Sequence, residues 1–235
     1  MTLRLTQITS YLLVAALGCS ASLALAEKPQ NQKKGKTTGS AISKNLDTNE
    51  KTHLIYMREE EKLARDVYVT LGTQYPNKKI FGIIDDSEQR HTCAVCDMLK
   101  KYGVDDPSTN DNVGVFTGEA FGPYFTERYR ALVQRGSTSA MEALMVGALI
   151  EEMDMDDIVY CPKEILEQDN GIDDKDDCGK AYTDNPDIQQ LYTSLLKGSE
   201  NHLRAFVRNI ERIQGEGTYV AQYLPQVQVN EILGR

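Results

Sequence analysis

Apolar residues recur along most of this chain at the three- and four-residue spacing of helices, and runs of β-branched residues are few. Capping and breaking residues divide the pattern into four long helices. The first runs from about Asn49 to Tyr75 and is stopped by Pro76; the second runs from about Ile80 to Tyr102, with Gly103 as its C-terminal cap. After a loop containing Pro107, a short helix is expected over Pro123 to Arg135. The third long helix starts at Ser139, where Glu142 completes a capping box, and ends near Tyr160. The fourth has Asn185 as N-cap, Pro186 at its first position and Asp187 on the positive end of the macrodipole, and runs to about Gln214. The expected fold class is all-α: a four-helix bundle with a short extra helix and a long loop between the third and fourth helices.

The two ends of the chain fall outside this pattern. Residues 1–26 open with Arg4, carry the apolar run Tyr11-Leu12-Leu13-Val14-Ala15-Ala16-Leu17 and end in Ala24-Leu25-Ala26, the layout of a secretory signal cleaved after Ala26. The run is too short for a membrane span, which needs about 20 residues. Leu17-Gly18-Cys19 resembles a lipoprotein box with a poor first residue, so a lipid anchor at Cys19 stays open. Residues 27–48, rich in Lys, Gln, Thr, Gly and Ser, bury too little apolar surface to offset ordering entropy and are expected to be a flexible tether. That leaves 49–214 as the folded domain and 215–235 as a C-terminal tail, in a protein exported to the periplasm or the extracellular space.

Function is sought in polar residues on apolar helix faces, since these must be paired or metal-bound to survive burial. On a wheel of roughly 100° per residue, the first helix turns Tyr56, Met57, Leu63, Ala64, Val67 and Leu71 inward, with Glu60 among them. Glu59 and Glu61 fall about 100° to either side and read as solvated. The second helix places Glu88 and His91 on the stripe of Ile84, Val95, Met98 and Tyr102, so that a Glu-x-x-His pair, one turn apart, faces the core. The third places Glu151 and Asp154 on the stripe of Ala140, Leu144, Gly147, Met155 and Ile158, with Glu152 to the side. The fourth places Ser199 and His202 on the face of Ile188, Leu195, Phe206, Ile210 and Ile213, with Glu200 pointing away. His53 has no acidic company.

Glu60, Glu88, His91, Glu151, Asp154 and His202 together make four carboxylates and two imidazoles, the complement of a carboxylate-bridged dinuclear site in a helix bundle. Four buried acids without a cation repel one another, and two divalent ions remove that cost. The expected cofactors are therefore two divalent ions, iron first and manganese second. The formal charge of −9, from 35 acidic and 26 basic residues, argues against a broad nucleic-acid surface.

The stretches Tyr56-Met57-Arg58-Glu59-Glu60-Glu61-Lys62-Leu63-Ala64-Arg65-Asp66-Val67-Tyr68, Ser87-Glu88-Gln89-Arg90-His91, Val146-Gly147-Ala148-Leu149-Ile150-Glu151-Glu152-Met153-Asp154 and Gly198-Ser199-Glu200-Asn201-His202-Leu203-Arg204-Ala205-Phe206 resemble the ferritin-like domain of unknown function 2202 family. The resemblance covers about residues 50–213. It implies a ferritin-like four-helix fold and a dimetal centre, but no settled substrate. Ferritin-like sites such as those of rubrerythrins carry a second Glu-x-x-His on the fourth helix; here Ser199 stands at the Glu position, and Asp154 is expected to supply the missing oxygen.

With Cys19 removed, four cysteines remain and allow three connectivities. Cys161 to Cys178 is preferred because it closes the loop between the third and fourth helices. Cys93 and Cys96 face away from the Glu88 stripe and either pair, stay reduced, or serve redox or soft-metal chemistry. The loop's Asp169, Asn170, Asp173, Asp174, Asp176 and Asp177 do not match EF-hand spacing and read as a solvated acidic run. Three functions stay open: a dimetal oxidase or peroxidase acting on a small oxidant; a bundle that stores, buffers or senses metal; and a structural bundle without metal.

Overall fold

The computed structural model describes residues 45–235. The expected signal peptide, the box at Cys19 and nearly all of the tether lie outside the described residues. The chain forms α1 (Thr48–Gln74), α2 (Ile80–Tyr102), α3 (Gly122–Gly136), α4 (Ala140–Val159), α5 (Lys163–Leu166), a 3-10 turn (Lys175–Asp177), α6 (Gly179–Tyr182), α7 (Pro186–Gln214) and α8 (Gln226–Leu233). This is an all-α helical bundle. Antiparallel partners α1 and α2 pack together, as do α4 and α7; contacts of α2 with α7 and of α1 with α4 close the ring, and α3 lies across α1 and α4.

The helix ends follow from local chemistry. Asp47 Oδ1 accepts from the Glu50 amide at 2.8 Å while Glu50 Oε2 accepts from the Asp47 amide, a reciprocal cap that starts α1. Ser139 Oγ accepts from the Glu142 amide and Asn185 Oδ1 from the Asp187 amide, each at 3.0 Å, one-way caps for α4 and α7; the Glu142 carboxylate, expected to complete a capping box, pairs with Arg135 instead. Gly103 closes α2 at a φ of 67°, which a side chain would disfavour. Toward the α1–α2 turn, Tyr68, Phe81 and Phe206 pack with ring centroids 5.3–6.3 Å apart. All three are buried, and each such side chain stabilises the bundle by about 1.5–3 kcal/mol.

The first helix departs from its amphipathic reading. Every residue from Tyr56 to Tyr68 is buried, including Arg58, Glu59, Glu60, Glu61, Lys62, Arg65 and Asp66. The loop between α2 and α3 covers the face that would otherwise meet water. There Lys62 Nζ donates to Asp66 and to the Asn112 carbonyl and lies 4.7 Å above the Phe116 ring. Arg65 pairs with Asp66 and Asp111, Arg58 with Asp106, and Glu59 accepts from the Gly118 amide. Paired in this way, Lys62 and Asp66 tolerate complete burial; deleting one partner of such a pair costs about 3–5 kcal/mol.

Residues 215–235, expected as a tail, are part of the packed domain. Tyr219, Leu224 and Val229 are buried, and Glu152 holds the segment. Its carboxylate accepts from the Tyr219 hydroxyl at 2.6 Å and from the amides of Gln222, Tyr223 and Leu224 at 2.9, 2.6 and 2.9 Å. Cys161 and Cys178 form a disulfide across the α4–α7 connection, and Cys93 and Cys96 are free thiols. In that connection Asp174 and Asp177 cap the 3-10 turn, and the acidic run is largely exposed.

Candidate metal centre

Glu61 from α1, Glu88 and His91 from α2, Glu151 from α4 and His202 from α7 converge in the bundle interior. Glu61, Glu88 and His91 form one group and Glu88, Glu151 and His202 a second; within each group the ligating atoms all lie within 4.8 Å of one another. Glu88 belongs to both. Its Oε2 lies 2.8 Å from His91 Nδ1 and its Oε1 2.7 Å from His202 Nδ1, so the two carboxylate oxygens face different histidines. The two rings are inclined at 28°, with centroids 5.5 Å apart.

Hydrogen bonding does not account for these contacts. The Nδ1 atoms of His91 and His202 and the Oε1 atom of Glu61 are buried and have no hydrogen-bond partner among the described residues. Unanswered groups of this kind cost about 1–3 kcal/mol each, which a divalent ion bound among them would offset. The donor set, carboxylate oxygen with imidazole nitrogen, suits iron, manganese or zinc.

The electrostatics agree. Burial raises Glu61 to about 7 against the pull of His91, and burial also raises Glu151 against the pull of His202. Burial opposes charge on Glu88 as well, but the adjacent His202 and His91 imidazoles outweigh it and hold this carboxyl down at about 2. On the histidines burial favours the neutral ring, yet Glu61 and Glu88 lift His91 to about 12, and Glu151 and Glu88 lift His202 to about 10. Protons on the imidazoles thus supply the positive charge that the acids demand, in the place where cations would supply it.

The DUF2202 family, described as an uncharacterized protein domain, matches residues 50–172 and 167–235. The chain belongs to the DUF2202 family. This DUF2202 chain is 41% identical over 184 residues to the uncharacterized protein MJ0754 of Methanocaldococcus jannaschii, covering 78% of this chain and 86% of that one. It also resembles the crystal structure of hypothetical protein MJ0754 from Methanococcus jannaschii DSM 2661, with a TM-score of 0.66 at 41% identity over 81% of this chain and 94% of that chain.

Of the six residues singled out in the DUF2202 sequence, Glu88, His91, Glu151 and His202 are brought together and Glu60 is not. Glu60 is buried, and burial together with the Asp157 charge pushes its carboxyl well up. The α1 residue that stands in these groups is Glu61. The wheel was centred on one apolar stripe, but α1 is enclosed on all sides, so inward-facing carries no direction there; all three glutamates at 59–61 are buried.

Asp154 lies next to the site without joining either group. It accepts a hydrogen bond from Ser199, its Oδ1 is buried without a partner among the described residues, and burial plus the charges of Glu61 and Glu151 push its carboxyl well up. Sequence reasoning missed two supporting residues. Tyr68 donates its hydroxyl to Glu151 Oε1 at 2.6 Å and thereby orients that carboxylate. Gly198 leaves the space that the His91 ring fills, since a Cβ at that position would overlap ring atoms Cε1 and Nε2. His53, remote from both groups, is buried between the Tyr192 hydroxyl and the Asp157 carbonyl.

Proposed function

We propose that this DUF2202 protein is exported and holds two divalent ions, iron expected and manganese the alternative, in a carboxylate-bridged dinuclear centre of a ferritin-like bundle. There it acts on O₂ or peroxide. Glu88 carries this reading, because a carboxylate whose two oxygens each sit against a different histidine is placed to span two cations. One ion would be held by Glu61, Glu88 and His91, the other by Glu88, Glu151 and His202. Bound in the ferrous state, the ions supply electrons to reduce the oxidant.

The protein's own groups set the conditions for that chemistry. Five side chains cannot fill the roughly eight to twelve positions of two ions, so room is left for water or a small oxidant. Asp154 Oδ1, free of a partner and electrostatically coupled to Glu61 and Glu151, is a further oxygen within the same pocket of charge. Tyr68 fixes Glu151, and the cluster of Tyr68, Phe81 and Phe206 excludes water from one side. Export is supported by the Cys161–Cys178 disulfide, a bond that persists in oxidising compartments, and by the signal-like layout of residues 1–26. Among the described residues, no helix is long and apolar enough to cross a membrane.

Anaerobic loading with ferrous ion tests the proposal. The protein should take up about two ions per chain and consume peroxide on mixing, and Glu88→Ala should lose both properties. Uptake without oxidation would leave a storage or sensing bundle; no stoichiometric uptake would leave a structural one.

A further inference from the structure

Two thiols stand on α2 outside the metal centre, and we propose that they form a peroxide-reactive dithiol in which Cys93 is the attacking sulfur and Cys96 the resolving one. Cys93 is exposed and Cys96 half-buried, and both are free. Residues three apart on a helix have Cα atoms about 5 Å apart, within the range of about 4.4–6.8 Å that a disulfide requires.

The surroundings distinguish the two sulfurs. Gln89 Nε2 donates to Cys93 Sγ at 3.3 Å, and the orientation of that amide is fixed because its Oε1 accepts from Arg65 Nη1 at 2.8 Å. Arg65 is held in turn by Asp66 and Asp111. A fixed chain of partners therefore holds a donor against Cys93, and this sulfur, the more exposed of the two, is the one that an oxidant in solvent reaches first. Cys96 instead donates its S–H to the Cys93 carbonyl at 2.9 Å, which keeps it a thiol and turns its sulfur back toward Cys93.

The steps balance without a metal. The Cys93 thiolate attacks one oxygen of hydrogen peroxide; an S–O bond forms, the O–O bond breaks, and the departing hydroxide takes up a proton as water. Cys96 then loses its proton and attacks the Cys93 sulfur; the S–S bond forms, the S–O bond breaks, and a second water leaves. Two thiols and one peroxide give one disulfide and two waters.

The test uses the full protein stripped with a chelator, so its outcome is independent of the dinuclear reading. After one equivalent of hydrogen peroxide, the tryptic peptide His91–Lys100, which contains both cysteines, should be lighter by two hydrogens and resist alkylation until dithiothreitol is added. Cys93→Ser should lose the reaction, whereas Cys96→Ser should retain it and leave a sulfenic acid at Cys93 that dimedone captures. Recovery of the peptide with two alkylated cysteines, or undiminished peroxide consumption by Cys93→Ser, would overturn the proposal.

Discussion

Gly198→Ala should separate metal binding from folding. The missing side chain is the space that the His91 ring occupies, and the ring is not free to yield while its Nδ1 stays 2.8 Å from Glu88 and 3.3 Å from Glu61. The methyl group must swing His91 off Glu88 or part α2 from α7. Overpacking of this kind costs about 1–3 kcal/mol. Ala is favoured over Gly in a helix interior by about 1 kcal/mol, so the metal-free variant should stay within about 2 kcal/mol of wild type. Metal binding requires the ring back in place and should lose the full overpacking cost, about 5- to 150-fold in affinity. Calorimetric titration with Mn²⁺, which does not turn over during the experiment, reads this directly. Gly82→Ala on α2 is the control, since a Cβ there meets nothing within 4 Å. A folded Gly198→Ala protein with wild-type affinity and stoichiometry would refute the role given to His91.

Three further substitutions probe neighbouring parts of the account. Glu61→Gln should lower metal affinity at least about tenfold, whereas Glu60→Gln, outside both ligand groups, should retain both ions; metal content reversed between the two would restore Glu60 as the ligand. Burial, opposed by hydrogen bonds to the Asp157 and Tyr160 carbonyls, lowers His53 from 6.5 to about 4. Between those values the folded state binds fewer protons than the unfolded state, so the contribution of His53 is complete above pH 6.5 and is lost as pH falls, by about 3 kcal/mol in total. His53→Gln should flatten the urea-derived stability profile by that amount relative to wild type, and parallel profiles would contradict the assignment. Glu152→Ala removes the shared acceptor of three amides and should accelerate hydrogen exchange at Gln222, Tyr223 and Leu224; unchanged protection there would mean that the segment is held by other contacts.

The residues legible in advance were those on helices with a single apolar stripe. On α2, α4 and α7 one face meets the core, and a wheel therefore found Glu88, His91, Glu151 and His202. Pro76, Gly103, Ser139 and the Asn185-Pro186 pair bounded the long helices because each acts through its own backbone or side chain, whatever the tertiary context. On α1 the same method chose Glu60 over Glu61, since nothing local announces that the distant Asp106, Asp111 and Asn112 will fold over its other face. The role of Glu152 was hidden for the same reason: its partners lie about seventy residues away, and three of them are backbone amides, which sequence does not distinguish. The four-residue helices α5 and α6 are too short to show a period.

The account turns on Glu88 joining two metal positions. Anomalous diffraction from crystals grown with Mn²⁺ should show two peaks about 3.5–4 Å apart, both in contact with the Glu88 carboxylate, one beside Glu61 and His91 and the other beside Glu151 and His202. A single peak at that place, or metal bound only in the exposed acidic loop around Asp173, would contradict it.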